Sequence, residues 1–364
     1  MSMNISFTGA MRAVSNLRGR PMALAFCAMT LIGALAPAPA QAQEPARQLF
    51  GNTDLPSASA PRVHGFYSGG CIAGAVAMPV DGPNWQAMRL ERNRRWGHPE
   101  LIALIQRLAD EAVDEGWPGL LVGDIAQPRG GPMLTGHRSH QTGLDADLWL
   151  TKMPDRRLTP AERRDMSAIS VLKPGTMEIN PQVWTPAHAR LLQRAASYDE
   201  IERVLVNPGI KKKMCELYGD DPANDPWMIK LRPVRGHHYH FHIRMVCPDD
   251  SPDCRPQKPV PTSGNDCGAP LDWWFNPPPP PKDPKPVAKP RPRRDTVLAD
   301  LPDACGPLLR APQPASESLA TYSAQFDRSI MMASAVPSTA PDPALGRIAL
   351  PSAARLPIPT ARPE

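Results

Sequence analysis

Six of the nine histidines lie in two short windows that are far apart in the chain. The first window spans residues 136–149 (GHRSHQTGLDADLW), and the second spans residues 236–244 (GHHYHFHIR). In the second window His240 and His242 are two residues apart, so on a β-strand both side chains point to the same side. Two distant histidine-rich windows of this kind indicate one metal site that the fold closes.

Carboxylates in the first window supply a second type of ligand. Asp145 and Asp147 alternate with apolar residues, which predicts a half-buried strand with a carboxylate face. Nitrogen ligands from one strand and oxygen ligands from the other suit zinc. A catalytic zinc takes three protein ligands and keeps one position open for a water, whose pKa it lowers to about 7. The spacing alone leaves open whether His137 or His140, and whether Asp145 or Asp147, would bind.

The helical zinc-protease motif H-E-x-x-H is absent from the sequence. A zinc protease with these windows would therefore be of a different design. The S-x-x-K pattern of serine penicillin-binding enzymes occurs once, at Ser170 and Lys173, but Pro174 and Gly175 follow at once and would end a helix there. We therefore expect water, not a serine, to be the nucleophile.

Hydrophobic spacing predicts the elements that would position these windows. Apolar residues at helical spacing predict helices over 101–113 and 186–196, and Thr-Pro-Ala-Glu at 159–162 predicts a helix start. Strands are predicted over residues 120–124, 144–150 and 238–246. Together these elements predict an α+β fold, in which an antiparallel sheet carries the metal site and helices surround it.

The N-terminal segment is typical of an export signal. The first twenty residues contain three arginines, residues 22–36 are nearly all apolar and uncharged, and Ala-Gln-Ala at 40–42 supplies a small-x-small cleavage pattern. The apolar stretch is shorter than the roughly 20 residues that a spanning helix needs. We therefore predict a cleaved signal peptide over residues 1–42, a periplasmic location and no membrane anchor after cleavage.

Export would place the cysteines in an oxidising compartment, where disulfides form. Six of the seven remain after residue 42, and an even number in an exported chain predicts three disulfides. Parity alone allows 15 connectivities. Cys247 and Cys254 flank a Pro/Asp-rich turn and would form the easiest local bridge.

Composition divides the chain and excludes one class of partner. A net charge of +5, from 41 basic and 36 acidic side chains, is too small and too dispersed for a nucleic-acid-binding protein. Residues 277–364 hold 20 of the 47 prolines, and an unbroken run at 277–281 begins a Pro-rich basic linker. The predicted regions are a lead-in (43–65), a zinc peptidase domain (66–276), the linker (277–300), a Cys305 segment docking on the domain (301–310) and a disordered tail (311–364).

The sequence resembles the penicillin-insensitive murein endopeptidases, zinc enzymes that cut peptide cross-links in bacterial peptidoglycan. The resemblance covers roughly residues 67–274 and the Cys305 segment. It rests on YSGGCIAGA, MRLERNRRWGHPELI, GDIAQPRGGPMLTGHRSHQTGLDADLW, VNPGIKKKMC, GHHYHFHIRMVCP and LDWWF. It implies kinship with lysostaphin-type and D-Ala-D-Ala peptidases and a hedgehog/DD-peptidase-like fold.

The resemblance also implies roles for individual residues. One zinc per chain would be bound by His140, Asp147 and His242. His240 would be the catalytic base or would stabilise the tetrahedral oxyanion. The remaining implied roles belong to His137 and His237, which would line the site and orient water or substrate, and to Asp145, which would accept a hydrogen bond from a ligand or a loop amide. The implied disulfides are Cys71–Cys305, Cys215–Cys267 and Cys247–Cys254.

Arginines near the first window are candidates for substrate binding. The implied substrates, peptidoglycan stem peptides, are rich in carboxylates, which arginine binds bidentately. Arg92 and Arg94 precede the first helix, and a Gly-Gly-Pro turn after Arg129 would place that residue near the first window. Structural ion pairing is the alternative for each arginine.

These patterns lead to one functional hypothesis and two rivals. The hypothesis is a periplasmic zinc endopeptidase that uses zinc-activated water to hydrolyse the D-alanyl–meso-diaminopimelate bond and is insensitive to β-lactams. One rival is a D-Ala-D-Ala carboxypeptidase or dipeptidase with the same ligands. The other is a non-catalytic peptidoglycan-binding module.

Overall fold

The structure, a computed structural model, describes residues 43–279, 294–323, 325–326 and 328–339. The predicted signal peptide and most of the predicted linker lie outside these residues, as do residues 340–364 of the predicted tail. Within the described ranges, no helix combines the length and apolar character needed to cross a bilayer.

The strands of the described residues form one large sheet and two small ones. Their bounds are β1 Arg62–Phe66, β2 Gly69–Ala73, β3 Val76–Ala77, β4 Asp81–Gly82, β5 Trp85–Ala87, β6 Trp96–Gly97, β7 Leu120–Val122, β8 Asp145–Trp149, β9 Ile201–Val206, β10 Leu231–Pro233 and β11 His240–Met245. The large sheet has seven strands in the order β10-β9-β11-β8-β7-β5-β4. The small sheets pair β1 with β2 and β3 with β6.

The helices surround the large sheet. Their bounds are α1 Ala46–Gly51, α2 Pro99–Asp114, α3 Pro160–Asp165, α4 Pro186–Ser197, α5 Pro208–Tyr218, α6 Asp225–Met228, α7 Ala269–Phe275, α8 Cys305–Arg310 and α9 Arg328–Ala333. The predicted helices α2 and α4 are present, with bounds within two residues of the prediction. Thr159 begins α3 with a capping box to Glu162, as the Thr-Pro-Ala-Glu pattern predicts.

The large sheet is mixed, which corrects the prediction of a purely antiparallel sheet. β10 pairs with β9 and β5 pairs with β7 in parallel, whereas β9, β11, β8 and β7 pair antiparallel in turn. Parallel neighbours need a crossover connection. α2 lies in the crossover from β5 to β7, and α5 lies in the crossover from β9 to β10. The sequence windows with histidine and aspartate thus fall on the antiparallel centre of a mixed sheet.

Polar and apolar residues alternate along β11, so one face of the strand packs in the core and the other carries the histidines. Phe241 and Ile243 belong to the main hydrophobic cluster, together with Leu101 of α2. Because successive side chains of a strand point to opposite faces, His240 and His242 face away from that cluster. The apolar half of the strand fixes its orientation, and the imidazoles are thereby held in a defined direction.

Three disulfides are present, as predicted. Cys71 pairs with Cys305, Cys215 with Cys267, and Cys247 with Cys254, the same pairs that the family resemblance implies. The Cys71–Cys305 bridge joins β2 to α8 and so attaches the segment that follows the linker to the body of the protein.

The described residues 312–323, 325–326 and 328–339 pack against the body, where the sequence led us to expect disorder. The amide of Tyr322 donates to the carbonyl of Ala77 at 2.9 Å, and the backbones of Gln313 and Val336 pair with each other. Ala320 and Met331 are fully buried. This segment can order because its few apolar side chains find a surface on the domain, although its composition is too polar to fold alone.

Candidate metal centre

Strand pairing places the two sequence windows side by side. β11 pairs antiparallel with β8, and in this register His242 lies opposite Asp147 and His240 lies opposite Trp149. Directly opposed residues of paired strands point to the same face. The imidazoles of one strand and the carboxylate of the other therefore share one face of the sheet.

The imidazoles converge on the carboxylate of Asp147. Its Oδ1 lies 3.0 Å from Nδ1 of His242, 3.4 Å from Nε2 of His140 and 3.6 Å from Nε2 of His240. Its Oδ2 lies 3.4 Å from Nε2 of His137. Burial alone would raise the pKa of Asp147, but the charges and hydrogen bonds of His140 and the other histidines hold it well below its usual value.

The loop that delivers His140 has an unusual backbone. His140 adopts a left-handed conformation with φ of 66°, which costs free energy for a residue with a Cβ. Its side chain is 0% exposed, yet neither ring nitrogen has a hydrogen-bond partner within the described part of the chain. Buried polar atoms are nearly always paired, so an unpaired imidazole beside a carboxylate fits a metal ligand.

Asp145 holds two of the candidate ligands, His140 and His242, by hydrogen bonds. Its Oδ1 accepts from Nε2 of His242 at 2.7 Å and from Nε of Arg244 at 2.7 Å. Its Oδ2 accepts from the amide of His140 at 3.3 Å. A proton on Nε2 leaves Nδ1 of His242 with a lone pair directed at Asp147, the arrangement that carboxylates impose on metal-binding histidines.

One set of three residues at this face has the mutual distances of a divalent-ion site, and a fourth residue contacts the same carboxylate. His137, His140 and Asp147 can each offer an atom such that all three atoms lie within 4.8 Å of one another. His242 offers Nδ1, 3.0 Å from the same carboxylate. His242 is buried, and its Nε2 is held by Asp145. The side chain of His137 is 29% exposed and also faces a second carboxylate, Asp124.

A cavity of about 340 Å³ opens over the convergence. Asp147, His240 and His137 line it, whereas His140 and His242 lie beneath it and do not line it. The remaining lining residues are Arg89, Arg92, Gly123, Asp124, Trp149, Ser167, Ala168 and Tyr239. A substrate in this cavity would therefore contact Asp147 and His240, whereas His140 and His242 are buried and do not line it.

His237 lies behind His240 and does not line this cavity. Its ring centroid is 5.0 Å from that of His240, and its Nδ1 contacts the carbonyl of Arg235 at 3.1 Å. Like His140, it has a left-handed backbone, with φ of 53°. His237 therefore contacts His240, the predicted base, and is not part of the cavity lining.

Asp124 is a site residue that sequence analysis missed. It lies two residues after the end of β7, is buried, and accepts from Nη1 of Arg92 at 3.1 Å and from Nη1 of Arg94 at 3.0 Å. His137 lies 3.4 Å away. Burial alone would raise the pKa of Asp124, but His137 and the two arginines lower it to about 2. The signal was a carboxylate at the carboxyl end of a predicted strand, although nothing in its spacing linked it to the histidines.

The structure brings only one of the three predicted arginines to the cavity. Arg92 lines it, and its side chain is 43% exposed. Arg94 is buried and donates to Asp124 and Thr135. Arg129 is fully buried and donates to the carbonyls of Leu55 and Leu308. Arg94 and Arg129 are therefore corrected to internal structural residues, because both are buried, donate to protein acceptors and do not line the cavity.

Replacing Arg129 with Ala tests this correction. Loss of a buried donor to several carbonyls is expected to lower the free energy of unfolding by about 3 kcal/mol. Thermal unfolding measures this loss, and KM for the substrate, measured on folded protein at low temperature, should stay within about twofold of the parent value. Arg107→Ala is the control, because Arg107 forms an exposed pair with Glu200 that contributes about 1 kcal/mol at most. A raised KM without a loss of stability would return Arg129 to the substrate site.

The serine pattern does not form an active site. Ser170 lies outside any helix, and its Oγ contacts Nδ1 of His238 at 2.9 Å and the amide of Leu172 at 3.0 Å. Lys173 instead pairs with Glu178 at 2.9 Å. Neither Ser170 nor Lys173 lines the cavity over Asp147.

A second group of possible ligands, His98, Glu100 and Asp250, lies elsewhere in the fold. His98 precedes α2, and its Nδ1 accepts from the amide of Glu100 at 3.4 Å. An imidazole that accepts at Nδ1 carries its proton on Nε2, which lies 3.3 Å from Oδ1 of Asp250. This group is therefore a helix cap with an associated carboxylate.

Comparisons with known proteins agree with this geometry. A family model described as penicillin-insensitive murein endopeptidase matches residues 63–310. A relative of that name from Haemophilus influenzae is 42% identical over 248 residues, which cover 68% of this chain and 82% of the relative. Relatives of the same name from Yersinia enterocolitica and Klebsiella pneumoniae are 36% and 39% identical, over 77% and 67% of this chain and 95% and 85% of their own lengths.

Proposed function

The chain belongs to the penicillin-insensitive murein endopeptidase family, and we propose that it hydrolyses peptide cross-links of peptidoglycan as a metallopeptidase. The observation that carries this proposal is the convergence of buried imidazoles on Asp147 at the floor of an open cavity. We propose the D-alanyl–meso-diaminopimelate bond as the bond that is cut.

The residues that would hold the metal are His140, Asp147 and His242. Two nitrogens and one oxygen form the type of donor set that catalytic zinc sites use, so zinc is the ion we propose, one per chain. A bound zinc would polarise the scissile carbonyl and acidify an attacking water. Asp145 supports this set by fixing the ring of His242 and the amide of His140.

His240 is the residue we propose for proton transfer. Its Nε2 lies 3.6 Å from Asp147 and faces the cavity, while its Nδ1 has no hydrogen-bond partner among the described residues. From this position Nε2 can take a proton from the attacking water and return it to the leaving amine, or donate to the developing oxyanion. His137, between Asp124 and Asp147, would orient water or substrate, and His237 would support His240 from behind.

Two further proposals follow from family membership and sequence. Residues 1–42 would direct the chain to the periplasm, where its substrate lies. The domain would share the hedgehog/DD-peptidase type of fold.

Digestion of purified cross-linked muropeptide dimers tests the proposed function. The zinc-loaded protein should release monomers, a chelator should stop the release, and added zinc should restore it. Penicillin should have no effect, because no serine is acylated in this mechanism. Intact dimers after incubation with fully zinc-loaded protein would refute the endopeptidase. Faster release of D-alanine from free stem pentapeptide than of monomers from dimers would favour a carboxypeptidase instead.

A further inference from the structure

Part of the cavity wall comes from a short turn that is flanked by two left-handed residues. The turn Leu90–Arg92 lies between Arg89, with φ of 55°, and Asn93, with φ of 50°. Such backbone costs on the order of 1 kcal/mol or more at each residue with a Cβ, and it persists only where the surroundings enforce it. Strain of this kind is concentrated at binding and catalytic sites, so the turn merits a functional explanation.

Side-chain contacts hold the turn in place. Nδ2 of Asn93 donates to the carbonyl of Asp54 at 3.0 Å, and its Oδ1 accepts from Nε1 of Trp96 at 2.6 Å. The guanidinium of Arg89 donates from Nη2 to the carbonyl of Met166 at 3.0 Å. Arg89 and Arg92 are therefore presented to the cavity from a fixed backbone.

The charges on this wall do not balance. Asp124 is ionised, and its single negative charge is shared by Arg92 and the buried Arg94. Arg89 has a neutral carbonyl as its hydrogen-bond partner. The nearby carboxylate of Asp165 is paired with Arg164 at 3.0 Å. Two arginines, Arg89 and Arg92, thus line this wall beside one carboxylate, Asp124, which leaves the wall with an excess of positive charge; the other carboxylate of the lining, Asp147, is the proposed metal ligand.

We propose that Arg89 and Arg92 form a carboxylate-binding subsite for the residue that supplies the leaving amine. This inference rests on the proposed function and makes it more specific. In a diaminopimelate cross-link, the carbon that carries the acylated amine also carries a free carboxyl group. That anion lies two bonds from the scissile nitrogen, so it enters the cavity together with the bond to be cut.

The cavity places the anion-binding arginines and the proposed metal ligands close together, as a substrate with a carboxylate next to its scissile bond requires. Arg92 contacts Asp124, Asp124 lies 3.4 Å from His137, and His137 lies 3.4 Å from Asp147. This chain of contacts joins the arginine wall to the proposed metal ligands within one cavity. Arg92 uses Nη1 for Asp124, and Nη2 and Nε form no hydrogen bond among the described residues, so they can bind a carboxylate oxygen pair.

A structural role for Arg92 is the competing explanation, because Arg92 also holds Asp124. The two explanations differ in one measurable quantity. If Arg92 only holds Asp124, its loss slows cleavage of every substrate to the same extent. If it binds the substrate carboxylate, its loss slows cleavage only of substrates that carry this group.

The test compares two dimers that differ only at the diaminopimelate carboxyl group, which is free in one and amidated in the other. The parent enzyme should prefer the free acid by about 10- to 100-fold in kcat/KM. Arg92→Gln should reduce this ratio to about one by slowing cleavage of the free acid, and Arg92→Lys should retain part of it. Arg107→Gln, which removes an exposed arginine far from the cavity lining, should leave the ratio unchanged.

Two results would overturn the subsite. One is a ratio near one in the parent, and the other is an equal loss on both dimers in Arg92→Gln. The ratio is also measured as dissociation constants in a His240→Ala background, so the subsite is tested even if no dimer is cleaved. If no dimer is cleaved but the free-acid dimer still binds more tightly than the amidated one, the proposed reaction is refuted and the subsite is supported. If dimers are cleaved but both bind with equal affinity, the reaction is supported and the subsite is refuted.

Discussion

Replacing His140 with Ala is expected to lower kcat/KM for cross-linked dimers by about 10³-fold or more, and to remove most of the bound zinc. The effect is large because both ring nitrogens of His140 are buried without a hydrogen-bond partner among the described residues, and Nε2 lies 3.4 Å from the carboxylate of Asp147. Its proposed task is to hold the ion, and without the ion the water and the scissile carbonyl lose their activation. Kinetics on muropeptide dimers and elemental analysis of the same protein sample measure both effects.

A histidine outside the site serves as the control. His64 lies in β1 and contacts Asp253 at 3.2 Å, away from the cavity. His64→Ala should keep its zinc and an activity within about threefold of the parent. Circular dichroism of both variants checks that each is folded. If folded His140→Ala keeps its zinc and more than about a tenth of its activity, His140 is not a ligand.

Replacing His240 with Ala should separate catalysis from metal binding. Loss of a general base or oxyanion donor typically lowers kcat by about 10²- to 10⁴-fold. Zinc should remain bound at one equivalent, because His240 is not among the three proposed ligands. Steady-state kinetics and metal analysis on the same sample give the two quantities.

The neighbouring His238 provides a matched control. It contacts Ser170 and does not line the cavity, so His238→Ala should change kcat by less than about fivefold. Loss of zinc in His240→Ala would instead identify His240 as a ligand. Unchanged kcat in that variant would remove it from the mechanism.

The sequence predicts the two site strands because their alternation is local. In β8 and β11 each polar residue is followed by an apolar one, so the period of two identifies both the strand and its chemically active face. The apolar partners Phe241 and Ile243 lie in the main core. The same holds for α2, whose buried face follows the helical period.

Other features depend on contacts that no local pattern encodes. The position of His140 requires a left-handed backbone and a hydrogen bond from its amide to the carboxylate of Asp145, both of which arise only once the loop is folded. The position of a guanidinium group on a loop depends on acceptors that are distant in sequence, as the contact of Arg129 with the carbonyl of Leu308 illustrates. The mixed sheet depends on which strands become neighbours after the crossovers, which the strand pattern does not fix.

The family resemblance supplied what spacing left open. Spacing did not choose between the two histidines of the first window or between its two aspartates. In the structure Asp145 bonds to His242 and to the amide of His140, whereas Asp147 faces the converging nitrogens. The choice of Asp147 as the ligand and of Asp145 as its support is thus a proposal with a geometric reason.

Anomalous diffraction at the zinc absorption edge, from crystals of the zinc-loaded protein, tests the central claim most directly. We predict one strong peak per chain, at about 2.0–2.3 Å from a nitrogen of His140, an oxygen of Asp147 and Nδ1 of His242. A peak bound by His137 in place of His242, or a peak at any other group of side chains, would contradict the ligand set. Absence of any peak in crystals of protein that cleaves dimers would contradict the metal mechanism itself.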